Sequence, residues 1–208
     1  MAGLAVGFDL DMTLIDPRPG MAAAMDALAA ESGLTLDGAH FAANLGPPLD
    51  MVLRGFEAPE ERIPGLVDRF RALYPEIVIP STIALPGAAD ALAAVRAVGG
   101  RTLVITGKYG PNAAKHLVAL GWEVDVLVGE RWSAAKGETL LDHGATVFVG
   151  DHGGDMAGAR VAGARVAGAT AVGVTTGPYD EARLLAAGAD VVLGSLTEFP
   201  AWLQSHLG

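Results

Sequence analysis

The first apolar run, Leu4-Ala5-Val6-Gly7-Phe8, is unbroken by polar residues and stops abruptly at Asp9-Leu10-Asp11-Met12-Thr13. A short continuous run of this kind reads as a strand buried on both faces. Two carboxylates spaced i, i+2 where such a strand ends are costly to leave unpaired, because desolvating a charge costs several kcal/mol. The pattern therefore predicts a cationic partner supplied from elsewhere in the chain.

The pattern then changes period. Leu14 to Pro19 has no clear repeat and reads as a linker. Gly20 to Ser32 places Met21, Ala24, Met25 and Leu28 at helical spacing, with Gly33 as a stop. Asp37 to Leu45 and Leu49 to Phe56 predict two short helices around the turn Gly46-Pro47-Pro48. Pro64 to Tyr74 predicts another, with Leu66, Val67, Phe70 and Leu73 on one face and proline in its first turn. Nothing from 15 to 80 reads as a core strand. Ile77 to Pro86 is a second irregular linker.

Beyond it, short apolar strands alternate with helices. Strands are expected at 101–106, 124–128, 146–149, 171–175 and 191–193, and helices at 88–98, 112–120, 136–143 and 181–187. Alternation of this kind indicates a parallel sheet covered on both faces, with right-handed crossovers that bring all strand carboxyl ends to one edge. The fold expected is α/β: a doubly wound, Rossmann-like parallel sheet formed by residues 1–14 and 86–208, interrupted by an all-helical insert over 15–85. Val161-Ala-Gly-Ala-Arg165 and Val166-Ala-Gly-Ala-Thr170 form a tandem near-repeat, with a helix expected from about Met156 to Val166.

Composition narrows the function classes. The mean hydropathy of +0.38 owes much to alanine, and no stretch reaches the roughly 18 uncharged apolar residues of a membrane helix. The first basic residue is Arg18, so the start does not read as a signal peptide, and a cytoplasmic location with no membrane partner is the expectation. Cysteine is absent, which removes thiol catalysis and thiolate metal sites. A formal charge of −10 argues against nucleic acid as a partner.

The predicted strand ends collect a distinctive set: Asp9 and Asp11 after the first, Thr106 at the end of the second, and Asp151 with Asp155 after the fourth. Lys136 falls between the third and fourth. Each alone has an ordinary explanation. Aspartates favour turns, Thr106 ends a β-branched strand, Lys136 could be a solvated helix-start lysine, and Asp155 could cap the next helix. Their convergence on one edge is what suggests chemistry, since active sites of open α/β sheets lie there. Oxygen-only ligands suit Mg²⁺.

Asp9-Leu-Asp11-Met-Thr13, Thr106 after Leu-Val-Ile, Lys136, and Gly150-Asp151-His152-Gly153-Gly154-Asp155 resemble, in order, the four signature motifs of the haloacid dehalogenase superfamily, across nearly the whole chain. The insert resembles that superfamily's helical cap, and Gly46-Pro47-Pro48-Leu49 resembles the cap loop of its phosphoglycolate phosphatase-like group. The resemblance implies a Mg²⁺-dependent phosphatase acting on a small phosphorylated metabolite, with phosphoglycolate or a similar phospho-acid as the guess. Asp9 would be the nucleophile, forming an aspartyl-phosphate, and Asp11 the general acid and base. Thr106, Gly107 and Lys136 would hold the phosphoryl group. Asp9, Asp11 (through its carbonyl), Asp151 and Asp155 would hold the metal. Arg18, and less directly Arg54, would be candidates to meet the substrate, with His152 near the metal. The cap would span 15–85 and hinge at 14–19 and 77–86, in a monomer or homodimer.

Two departures stand out. Gly107 occupies a place where relatives often have asparagine, and Gly137 follows Lys136 where proline is common. Lys108 is a competing candidate for the lysine role. A phosphomutase of the β-phosphoglucomutase type would share these residues, and a non-catalytic binding or regulatory module on this fold is the reading from another class. A dehalogenase would lack an equivalent of Asp11. A phosphonate hydrolase would want a cap lysine, and residues 15–85 contain none.

Overall fold

The computed structural model describes residues 3–165 and 169–208, with side chains described outside 163–168. Its centre is a six-stranded, all-parallel sheet built from β1 (Ala5–Phe8), β4 (Arg101–Ile105), β5 (Val126–Val128), β6 (Val147–Gly150), β7 (Thr170–Val174) and β8 (Val191–Leu193), in the order β5-β4-β1-β6-β7-β8. From β1 the chain winds outward through β4 to β5. It then returns to the other side of β1 and winds through β6 to β7 and β8. The connections after β1 and β6 therefore leave in opposite directions, and the crevice between their carboxyl ends is the topological switch point. The Asp9 N–H donates to Val149 O at 2.8 Å and closes that crevice at its floor.

Alternate residues of the strands feed two apolar layers. Val6, Phe8, Val104, Val149 and Val172 face α5 (Ala88–Ala97) and α10 (Phe199–Leu207). Ala5, Leu103, Ile105, Phe148 and Ala171 face α7 (Ala134–Asp142), α8 (Gly153–Arg165) and α9 (Glu181–Ala186). Gly7 points into the second layer, where a Cβ would lie 2.8 Å from Leu140 and Phe148 side-chain carbons, so the missing side chain is what lets α7 seat on the sheet. The α7 and α8 helices also meet closely. A Cβ on Gly137 would lie 2.5 Å from Gly158 O, which accounts for glycine rather than a bulkier residue after Lys136. The remaining sheet helix is α6 (Gly110–Leu120).

The segment between the linkers is helical, as its period predicts: α1 (Arg18–Ser32), α2 (Gly38–Ala43), α3 (Leu49–Gly55) and α4 (Ile63–Ile77). These pack around an apolar cluster of their own that includes Met25, Leu28, Phe41, Leu53, Leu66 and Phe70. The linkers hold structure that periodicity did not disclose. β2 (Ile15–Asp16) and β3 (Ile83–Ala84) pair antiparallel as a two-residue ribbon, preceded in the second linker by a 3₁₀ turn at Ile79–Ser81. Two-residue strands are too short to show any alternation. α10 was also unforeseen: it carries two apolar anchors, Phe199 and Leu203, and the Phe199 ring meets Phe8 edge-on at 5.3 Å. The expected strand at 124–128 begins only at Val126, and α8 starts three residues before Met156. The second unit of the tandem repeat falls largely on residues 166–168, outside the described residues. Among the described residues no helix is long and apolar enough to cross a membrane.

Candidate active site

Four strand ends, the first turn of α7 and one helix from the insert build the site. Asp9 follows β1 directly. The chain then turns sharply, with Leu14 and Ile15 N–H groups both donating to Leu10 O at 2.9 and 3.0 Å and Met12 held at φ 59°. A left-handed φ on a non-glycine residue is a cost that the surroundings must enforce. Here the Thr176 hydroxyl donates to Met12 O at 2.5 Å. The turn aims Asp11 outward and returns Thr13 beneath the site, where its hydroxyl donates to Asp151 Oδ1 at 2.8 Å.

Asp9, Asp151 and Asp155 are all buried, and each offers a carboxylate oxygen within 4.8 Å of the others. Two glycines make room for this cluster. A Cβ on Gly150 would lie 2.4 Å from the Asp155 carboxylate, and one on Gly177 would lie 1.8 Å from Asp151 Oδ2. Lys136, in the first turn of α7, is fully buried. Its ammonium donates to Asp155 Oδ1 and lies 3.0 Å from Asp9 Oδ1, with the Phe148 ring on its flank. Asp155 also accepts the His152 N–H at 3.0 Å. Burial pulls the Lys136 ammonium down, but Asp155 and Asp9 outweigh it and hold the group well above the ordinary lysine value. Burial and mutual repulsion push Asp151 well up, and Asp155 rises to about 6 in spite of Lys136.

Lys108 supplies a second ammonium. Its Nζ lies 2.8 Å from Asp11 Oδ2 and donates to the Tyr74 hydroxyl, and its backbone N–H donates to Thr106 Oγ1 at 3.2 Å. Tyr74 comes from α4 of the insert and stands 2.8 Å from His116 Nε2 on α6. Since Tyr74 accepts from Lys108, its proton points to His116. Burial and then Lys108 push that imidazole down to about 3, so it is a neutral acceptor. Asp11 is raised by burial and by Asp9, with Lys108 opposing.

Four carboxylates face two ammonium groups, a formal excess of two negative charges. Asp11 Oδ1 is buried without a hydrogen-bond partner among the described residues, and Asp9 Oδ1 has only the ion pair with Lys136. The buried acids, the raised pKa values of Asp11, Asp151 and Asp155, and an oxygen-only donor set fit a divalent hard cation.

Thr106 directly follows β4 and is buried beside this cluster. With Gly107, Asp9, Asp11, Asp151 and His152 it lines a small cavity of about 20 Å³. A larger cavity of about 370 Å³ shares Asp11, Gly46, Gly107 and Lys108 with it and extends beneath the insert. At Gly107 a Cβ would come 3.2 Å from Gly46 O, a tight approach of the Gly-Pro-Pro turn over the position where relatives often have asparagine. His152 lies near the acids, its Nδ1 accepting the Gly154 N–H at 3.0 Å, and its ring sits between Trp132 and Tyr179.

Arg18 lines neither cavity. Its guanidinium is turned to Asp16, at 2.8 and 2.6 Å, and is half exposed. Arg54 is likewise bound to Asp50 and Glu60 on the surface. Tyr74, His116 and Trp132 escaped sequence reasoning. Tyr74 reads as one more apolar-face residue of its helix, and the other two lie in no motif.

An all-parallel doubly wound sheet whose switch point carries an acid triad, a buried lysine and a hydroxyl defines a class of α/β proteins with a cation-competent acidic site at the strand ends. The chain belongs to the haloacid dehalogenase-like hydrolase family, whose model matches residues 6–180. It is similar to the phosphoglycolate phosphatase of Caulobacter vibrioides, 27% identical over 219 residues that cover 95% of this chain and 90% of that protein. In fold it resembles a haloacid dehalogenase-like family hydrolase from Streptococcus pneumoniae, with a TM-score of 0.80, 22% identity and coverage of 99% and 98%. It also resembles a family hydrolase from Deinococcus radiodurans solved with bound phosphate and sodium, with a TM-score of 0.68, 24% identity and coverage of 99% and 97%.

Proposed function

We propose that this chain is a Mg²⁺-dependent phosphomonoesterase that works through an aspartyl-phosphate on Asp9. The observation that carries the reading is the Asp9 carboxylate itself. It is buried, its Oδ1 is paired only with the Lys136 ammonium at 3.0 Å among the described residues, and Asp151 and Asp155 lie on its other side. A carboxylate so placed can attack phosphorus. The ester oxygen then leaves with a proton from Asp11, whose raised pKa favours carrying one. In the second half a water attacks the aspartyl-phosphate, Asp11 takes its proton, and inorganic phosphate departs with Asp9 restored. Thr106 and the Gly107 backbone, which line the small cavity, are suited to bind phosphoryl oxygens, and Lys136, buried behind Asp9 and lining neither cavity, adds positive charge there.

Asp9, Asp151 and Asp155, with the Asp11 carbonyl, would hold Mg²⁺. When bound, the ion supplies the positive charge that lets a phosphate dianion approach four acids. Lys136 orients Asp9 and Asp155, and Thr13 orients Asp151. The insert over 15–85 acts as a cap. Its contact with the core through Tyr74 and Lys108 excludes water, and the β2–β3 ribbon in the two linkers is its hinge. The named activity of the Caulobacter vibrioides relative supports a small phosphorylated metabolite as substrate.

Release of inorganic phosphate from p-nitrophenyl phosphate, with Mg²⁺ and after its removal by chelation, tests the reading. Asp9→Asn should abolish turnover while the circular dichroism spectrum stays native. Turnover surviving in that variant would refute the nucleophile.

A further inference from the structure

The larger cavity begins at Asp11, the acid that would protonate the leaving oxygen, and ends against the insert, so it is where the leaving group of a phosphate ester would lie. Its walls are mainly hydrocarbon and aromatic: Met21, Phe41, Leu49, Val67 and Phe70 surround it, with Tyr74 at the Lys108 end. At about 370 Å³ it has room for roughly a dozen waters at about 30 Å³ each, and a two-carbon acid would displace fewer than half of them.

Charge argues in the same direction. Two cations reach the cavity wall, and both are committed. Lys108 is held between Asp11 and Tyr74. Arg71 pairs with Glu130 at 2.9 Å and stacks 3.9 Å over the Tyr109 ring. Asp50 and Glu130 add acid to the lining, so acids outnumber bases on it. A carboxylate on the leaving group would have to break one of those ion pairs or exchange its hydration for neutral donors such as the Asn112 amide, whereas an apolar group gains from every wall it covers.

Resting on the phosphomonoesterase reading, we infer that the cavity selects phosphate esters whose leaving group is uncharged and largely apolar, about the size of a phenyl ring on a short linker, over short carboxylic phospho-acids such as phosphoglycolate. The apolar lining is then a specificity device, because the phosphoryl end of all these substrates is identical.

The test compares 2-phenylethyl phosphate with ethyl phosphate and phosphoglycolate, all esters of alkyl alcohols, using the full chain with Mg²⁺ and measuring phosphate release. The expected kcat/KM for 2-phenylethyl phosphate exceeds those of the other two by roughly tenfold to a hundredfold, mostly through KM. Val67→Arg, which brings an uncommitted cation to the wall, should move the ratio of phenylethyl to glycolate ester down by at least about tenfold. Binding read by calorimetry separates this inference from the catalytic one. 3-Phenylpropylphosphonate should bind more tightly than 3-phosphonopropionate whether or not turnover is seen. Turnover with phosphoglycolate preferred, and 3-phosphonopropionate bound more tightly, would overturn the inference and leave the phosphatase standing. No turnover of any ester, with the phenylpropyl compound still preferred, would overturn the phosphatase and leave the cavity's selectivity.

Discussion

Replacing Lys136 by methionine removes a positive charge from the centre of the acid cluster while keeping most of the hydrocarbon stem. The ammonium is fully buried, 3.0 Å from Asp9 Oδ1 and hydrogen-bonded to Asp155. At an effective dielectric near 20, a charge pair at that distance is worth about 5 kcal/mol before desolvation is counted. The ammonium's own desolvation cost disappears with it, but the carboxylates it compensated remain buried. Breaking one side of a buried ion pair in this way typically costs about 3–5 kcal/mol. For a chain of this length that is a fall in Tm of roughly 10 °C. Urea denaturation followed by circular dichroism, with calorimetry for Tm, measures it. Mg²⁺ at about 100 times its Kd should return about 2.7 kcal/mol if the ion binds only the folded acids. A loss below about 1 kcal/mol in metal-free buffer would refute the assignment of Lys136 as the compensating charge.

Three further outcomes are expected. His116 is held neutral when folded, near 3, against about 6.5 unfolded, so the unfolded chain takes up a proton first as the pH falls and stability drops below about pH 6.5. Between pH 7 and 5 that single group accounts for about 2 kcal/mol, and His116→Gln should lose that much less over the same range; parallel denaturation profiles for the two proteins would contradict it. Thr13→Val deletes the donor to buried Asp151 and should cost about 1–3 kcal/mol in the metal-free protein, while raising the Mg²⁺ Kd measured by calorimetry. Gly177→Ala puts a methyl where Asp151 Oδ2 now lies, so Mg²⁺ affinity and kcat should both fall at least about tenfold, by the usual effect of disturbing a ligand's immediate support. Unchanged titration curves in that variant would show that the loop moves aside freely.

What the amino-acid sequence determined is what depends on near neighbours and on period. Short, mainly apolar runs specify the strands, and six of them place Asp9, Thr106 and Asp151 at one edge because parallel strands joined by crossovers must all end there. The 3.6-residue repeat of 20–74 specifies the helical insert in the same way. The tertiary structure decided which groups meet across long separations. Lys108 and Lys136 look alike as isolated lysines, but α7 buries one between Asp9 and Asp155, whereas α4 and α6 close over the other through Tyr74 and His116. Arg18, two residues from Asp16, finds that partner before any substrate, since a short reach to an adjacent carboxylate confines fewer rotamers than a long one. The absence of a side chain at Gly137 is explained by the Gly158 backbone, 21 positions away, and Gly46, 61 positions away, crowds Gly107 in the same manner but less tightly. Such contacts leave no periodic trace in the chain, because they are set by how whole elements pack against one another and not by the order of residues within any of them.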